Sequence, residues 1–153
     1  MRRVLFVFLA CAFGVRVTAQ EALEPCRDRF NDPYHAAVKR VIDNAVAKPA
    51  RLLLTTVPSF EAESGLRLVG NEIYHVEFPT SFWYESYPKG ENGRMDFTKP
   101  RIVGKVRRAS LSQDVANRVE QVFANAIAKS KDSGWAGIDG VSYIFATPDN
   151  RCA

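Results

Sequence analysis

Cysteine and histidine are scarce in this chain, and neither sign of charge dominates it. Each shortage removes a class of function. Three cysteines and two histidines in 153 residues cannot fill a zinc site, which wants three or four clustered ligands, without recruiting carboxylates. No G-x-S-x-G elbow, H-E-x-x-H helix, P-loop or Cys–His nucleophile pair occurs, so no catalytic constellation and no cofactor is called for. The formal net charge is +4, but Arg2, Arg3 and Arg16 lie in a leader-like N-terminus. Without them 18 bases face 17 acids. That balance gives no basic excess for phosphate binding, and a nucleic-acid partner is not expected.

The one long apolar run is at the start. Arg2 and Arg3 precede the uncharged run from Val4 to Phe13, and Val17-Thr18-Ala19 supplies the modest residues a signal peptidase reads. Residues 1–19 are therefore expected to be a secretory signal peptide, cleaved before Gln20. The run is too short for a membrane anchor, since spanning takes about 20 apolar residues. A lipoprotein reading, with Cys11 acylated, would shorten the apolar core further. No later segment is apolar enough to span. The expected location is exported, periplasmic or extracellular. Cleavage leaves Cys26 and Cys152, which in an oxidising compartment are expected to pair. Residues 20–153 then form a single domain, long enough to bury a core without staples.

Periodicity supplies the elements. Asn31-Asp32-Pro33 offers a cap followed by proline in the first turn. Tyr34, Ala37, Val38, Val41, Ile42, Ala45 and Val46 then form one helical stripe, which Lys48-Pro49 ends. A second helix follows Ser110 or Ser112, with Val115, Val119, Val122, Phe123, Ala126 and Ile127 as its apolar face. Between the helices the period shortens. Strands are expected at 52–57, at 66–69 and 73–78 around a Gly70-Asn71 turn, at 81–87, and in one or two pieces over 95–97 and 102–106. A last strand is expected at 141–146. Hairpin-length links favour antiparallel pairing. The expected fold is α+β: an antiparallel sheet of about four to six strands, order α-β(n)-α-β, with both amphipathic helices on one face.

Four features invite a functional reading. Arg94, Lys99, Arg101, Lys105, Arg107 and Arg108 put six bases into 15 residues. They read either as a docking face for an acidic partner or as an edge strand kept from aggregating by charge. Phe82-Trp83-Tyr84, alternating across a strand, would turn one aromatic set outward as interface anchors or a sugar platform. His75 and Glu77, two apart, share a strand face. Glu61 and Glu63 lie in a loop, with nothing in the sequence to raise a carboxyl pKa.

Leu111 through Phe145 combines an amphipathic helix, a short polar gap and Gly137-Ile138-Asp139-Gly140-Val141-Ser142-Tyr143-Ile144-Phe145. This stretch resembles the C-terminal half of small secreted bacterial proteins. The resemblance implies no activity and carries over no functional residue. The expected function is non-enzymatic binding, of inhibitor or immunity type, to another extracytoplasmic protein with an acidic patch. The candidate surface comprises Trp83, Tyr84, Arg101, Lys105, Arg107 and Arg108. The alternative is a small cell-envelope hydrolase or carbohydrate-binding module built on Trp83, Tyr84, His75 and Glu77.

Overall fold

In the computed structural model the described residues are 23–26, 32–85, 97, 102–131, 140–149 and 151–153. The expected leader, residues 1–19, and Arg101 lie outside them. Helix α1 spans Pro33–Val46. Its start obeys the sequence signals: Asp32 accepts the His35 backbone N–H at 2.9 Å, and Pro33 needs no donor partner in the first turn. It stops at Ala47, which turns left-handed at φ 50° and sends its N–H back to the Asp43 carbonyl at 2.8 Å.

Strands β1 (Leu52–Pro58), β2 (Ser64–Val69) and β3 (Glu72–Glu77) form an antiparallel meander. The Gly70-Asn71 turn joins β2 to β3, with Gly70 at φ 58°, a conformation glycine adopts without a Cβ penalty. Strand β4 (Lys105–Ser110) adds beside β3, and β5 (Val141–Ala146) adds beside β1. The sheet order is β4-β3-β2-β1-β5. Strands are therefore where the periodicity put them at 52–57, 66–69, 73–78 and 141–146. The expected strand over 102–106 begins only at Lys105 and runs on to Ser110. Ser112, not Ser110, caps helix α3 (Gln113–Ala128), its hydroxyl accepting the Val115 N–H.

The expected class, an α+β fold on an antiparallel sheet of about four to six strands, is what the chain adopts, with five strands. The helices, however, do not share a face. Ala37, Val38, Val41 and Ile42 of α1 pack with Tyr74, Val76 and Phe78. Side chains alternate along a strand, so Ile73, His75 and Glu77 point to the other side. Leu68 pairs with Ile73, and it is Leu68, with Leu52, that packs under Ala116, Val119 and Phe123 of α3. Phe123 stacks on Phe145 at 4.8 Å between centroids, extending that layer to β5. The reason is topological. The link between β4 and β5 joins the two opposite edges of the sheet and must cross it, and α1 already occupies the first face. The buried stripe of α3 is also rotated from the expected one, leaving Val115 and Val122 exposed.

Gly65 lets α1 sit low on the sheet. A Cβ there would stand 2.9 Å from both Ile42 Cδ1 and the Leu54 carbonyl oxygen. Each apolar side chain sealed in this layer contributes roughly 1.5–3 kcal/mol of transfer free energy.

The two sheet edges end differently. On the β5 side the C-terminal tail adds a short sixth rung. Phe145 and Ala153 exchange backbone hydrogen bonds at 2.8 and 2.9 Å, and Ala146 bridges Cys152. Cys152 is disulfide-bonded to Cys26, whose N–H donates to the Cys152 carbonyl at 3.2 Å. Lys131, just past α3, donates to the Leu23 carbonyl at 2.8 Å. The clasp thus ties the leading segment, the tail and the end of α3 to one edge.

Replacing Cys152 by Ser should speed hydrogen exchange at Phe145 and Ala153 first. The loop-entropy ceiling for so long a closed loop is about 4–5 kcal/mol. Amide exchange read residue by residue checks this. If Leu53 and Leu68 lose protection in step with the tail, the clasp serves the core and not the edge.

Candidate functional site

Strand β4 is the edge opposite the clasp, and all six of its residues are exposed. Register fixes its charges. Lys105 faces Glu77 across β3, Arg107 faces His75 and Arg108 faces Tyr74. Arg107 and Glu77 share the α3 side of the sheet, and their charged ends meet at 3.3 Å. Arg108 lies on the α1 side, 3.8 Å from Glu72, whose carboxylate also accepts the Tyr74 hydroxyl at 2.7 Å and lies 3.9 Å from Lys48. The Tyr74 hydrogen bond, then Arg108 and Lys48, hold the Glu72 carboxyl below its usual range. These pairs are exposed, so salt screens them and they add little to stability. What they do is fix where the cations point.

Trp83 and Tyr84 are not on a strand. Residues Phe82–Glu85 form a single helical turn, α2. The cause is Glu63, which is fully buried. Its carboxylate accepts the Phe82 backbone N–H at 2.6 Å, the Ser81 hydroxyl at 3.4 Å and the Tyr34 hydroxyl. That arrangement satisfies the start of a helical turn and gives the chain a reason to coil there. Phe82 goes inward, while Trp83 and Tyr84 remain 42% and 59% exposed. The Trp83 ring packs edge-on to Tyr34 at 5.3 Å and tilted to Phe97 at 6.2 Å. Strand β3 leaves the sheet at Glu77, beside Lys105, so the aromatic pair and Lys105 occupy one end of the sheet. Arg108 belongs toward the other. The described candidates thus lie along the β4 edge and at one end of the sheet, with Lys105 and Arg107 on the α3 side and Trp83 against Tyr34 of α1.

His75 and Glu77 do share a strand face, and the Glu77 carboxylate is held by Arg107. No group of three or more His, Cys, Asp and Glu among the described residues could hold a metal ion.

Two buried charges escaped the sequence. Glu63 read as a loop acid. Arg67, inside the expected strand at 66–69, drew no separate reading, yet it is only 1% exposed. Its Nε donates to Asp43 of α1 at 2.8 Å, and its Nη1 donates to the Leu54 and Leu66 carbonyls, each at 2.9 Å. Burial pulls the guanidinium below its ordinary value, and Asp43 opposes that shift. With helices on both faces of the sheet, both phases of β2 are covered. The only local hint was Asp43, on the flank of the first helix.

The chain matches no protein-family model, no curated protein and no solved structure.

Burial, then the hydrogen bond to Glu63, raises the Tyr34 phenol above its ordinary value. A raised folded-state value keeps the proton bound longer in the native chain. The contribution is complete below about pH 10, the unfolded tyrosine value, and declines as pH rises further. Tyr34→Phe should lower stability at neutral pH by about 1–3 kcal/mol, because Glu63 loses a donor. It should also flatten the alkaline limb of denaturant midpoints measured from pH 8 to 11. An unchanged alkaline limb would remove Tyr34 from this role.

Proposed function

We propose that this protein is an exported, non-enzymatic binding domain of inhibitor or immunity type, which engages an acidic patch on another extracytoplasmic protein through β4. The observation that carries the reading is the edge itself: six exposed residues in a row, three of them Lys105, Arg107 and Arg108. An open edge strand is a template for pairing with another chain. A second copy paired there would set these cations against their own equivalents. An acidic partner would meet complementary charge, which raises encounter rate and selects against wrong partners. Trp83 and Tyr84, at the Lys105 end, would supply the aromatic anchors that concentrate binding energy.

Export is supported by the Cys26–Cys152 disulfide, a bond that persists in oxidising compartments. No helix among the described residues is long and apolar enough to cross a membrane.

The test is capture from an envelope extract with the native protein and with the triple variant Lys105→Glu, Arg107→Glu, Arg108→Glu. The variant should retain its melting temperature within a few degrees and lose at least tenfold of the captured partner. Rising salt should weaken native capture in the same direction. A stable partner indifferent to the three reversals would show that binding occurs elsewhere.

A further inference from the structure

On the α1 side of the sheet the helix packs against β2 and β3. Beside it, where the helix gives way to Lys48 and the end of β5, a groove opens with a volume of about 320 Å³. That is the lower end of the range for small-molecule sites. Val46, Leu53 and Pro148 give it apolar walls, while Lys39, Asp43, Lys48 and Arg67 give it charge. Three cations against one carboxylate leave an excess of two positive charges on the lining.

Arg67 is the informative member. Its Nε and Nη1 are hydrogen-bonded, but Nη2 is the one buried side-chain nitrogen or oxygen among the described residues that makes no hydrogen bond. It stands 2.8 Å from Asp43 Oδ1, close enough for charge attraction and badly angled for donation. Asp43 is committed elsewhere: Oδ1 takes the Arg67 Nε–H, and Oδ2 takes the Lys39 ammonium at 2.6 Å. Asp43 compensates the Arg67 charge, but a buried donor without a well-angled acceptor leaves part of its desolvation cost unrecovered. A guanidinium is well suited to an oxygen anion, and two half-exposed lysines flank this one, Lys39 paired with Asp43 and Lys48 donating to the Tyr74 hydroxyl at 2.9 Å with donors to spare.

We infer that this groove binds a small organic oxyanion with an apolar body. The two lysines receive the anionic head, with the buried Arg67 guanidinium behind them adding positive charge, and Val46, Leu53 and Pro148 pack the remainder. Both a carboxylate and a phosphate monoester present that head. The site lies on the opposite side of the sheet from the Arg107–Glu77 pair and does not use the β4 edge.

Backbone and arginine Nε–H NMR signals of the full chain, followed during titration, test the inference. The probes are sodium benzoate, phenyl phosphate and the uncharged analogue benzamide, at matched ionic strength. At least one acid should give saturable shifts at Lys48, Leu53, Arg67 and Ala146. The tighter acid then distinguishes carboxylate from phosphate. Benzamide should bind at least tenfold more weakly. Arg67→Met risks unfolding, so the double variant Lys39→Met, Lys48→Met, altering two exposed positions, carries the second arm and should weaken binding at least tenfold. Absence of saturable shifts with both acids overturns the site. So does equal binding of benzamide, or binding unchanged in the double variant.

Discussion

The guanidinium of Arg67 holds three elements in one place. It stands on β2, donates to backbone carbonyls of β1 and β2, and reaches Asp43 on α1. The meander and the helix that covers it are thereby joined by directed bonds as well as by apolar contact. In buried ion pairs, loss of one partner costs about 3–5 kcal/mol, because the other charge stays behind unpaired. Water reaching the partly exposed Asp43 reduces that figure here. Glu63, earlier on the same side of the chain, does a similar task at the other end of α1, where Tyr34, Ser81 and the Phe82 N–H converge on it. Two buried charges, one of each sign, pin α1 at both ends.

This pinning decides which surfaces remain open. With α1 fixed over β2 and β3, the β5 side of that face is left with a groove. On the other face α3 lies over Leu52, Leu68 and Phe145, while Lys105, Arg107 and Ala109 of β4 stay exposed. The helices cover the sheet diagonally, and the two uncovered parts are both basic. The edges are managed by different means: backbone bonds and a disulfide on the β5 side, charge on the β4 side.

Much of the architecture was legible because it is local. Asp32 and Pro33 mark the start of α1, Gly70-Asn71 marks the hairpin, and the stripe from Ala37 to Val46 is the one that is buried. The Cys26–Cys152 pair followed from arithmetic. What failed were statements requiring knowledge of both sheet faces. Leu66-Arg67-Leu68 alternates along β2, and neither side is wet: Leu68 lies under α3, and Arg67 points to the α1 side, where Asp43 holds it. Phe82-Trp83-Tyr84 has strong strand propensity, and it coils because a carboxylate some twenty residues earlier is buried beneath it. Of the expected surface, Lys105, Arg107 and Arg108 were readable as edge charges, since a run of bases in a strand has few other places to go. The groove was not readable, because its charges come from a helix, a loop and a central strand.

The position of β1 has a kinetic consequence. It pairs with β2 through a short loop, but with β5 through contacts such as Leu53 with Ala146, which bring together residues nearly a hundred apart. Closing long loops costs entropy before any contact repays it, so local pairings form ahead of distant ones. Loop-closure entropy therefore favours the β1–β2–β3 meander over the β1–β5 pairing as the earlier structure to form. The tail pairs with β5 on one side and with Cys26 on the other, so its place depends on β5 being there. The Cys26–Cys152 bond thus fastens an edge built from the longest-range pairing in the sheet.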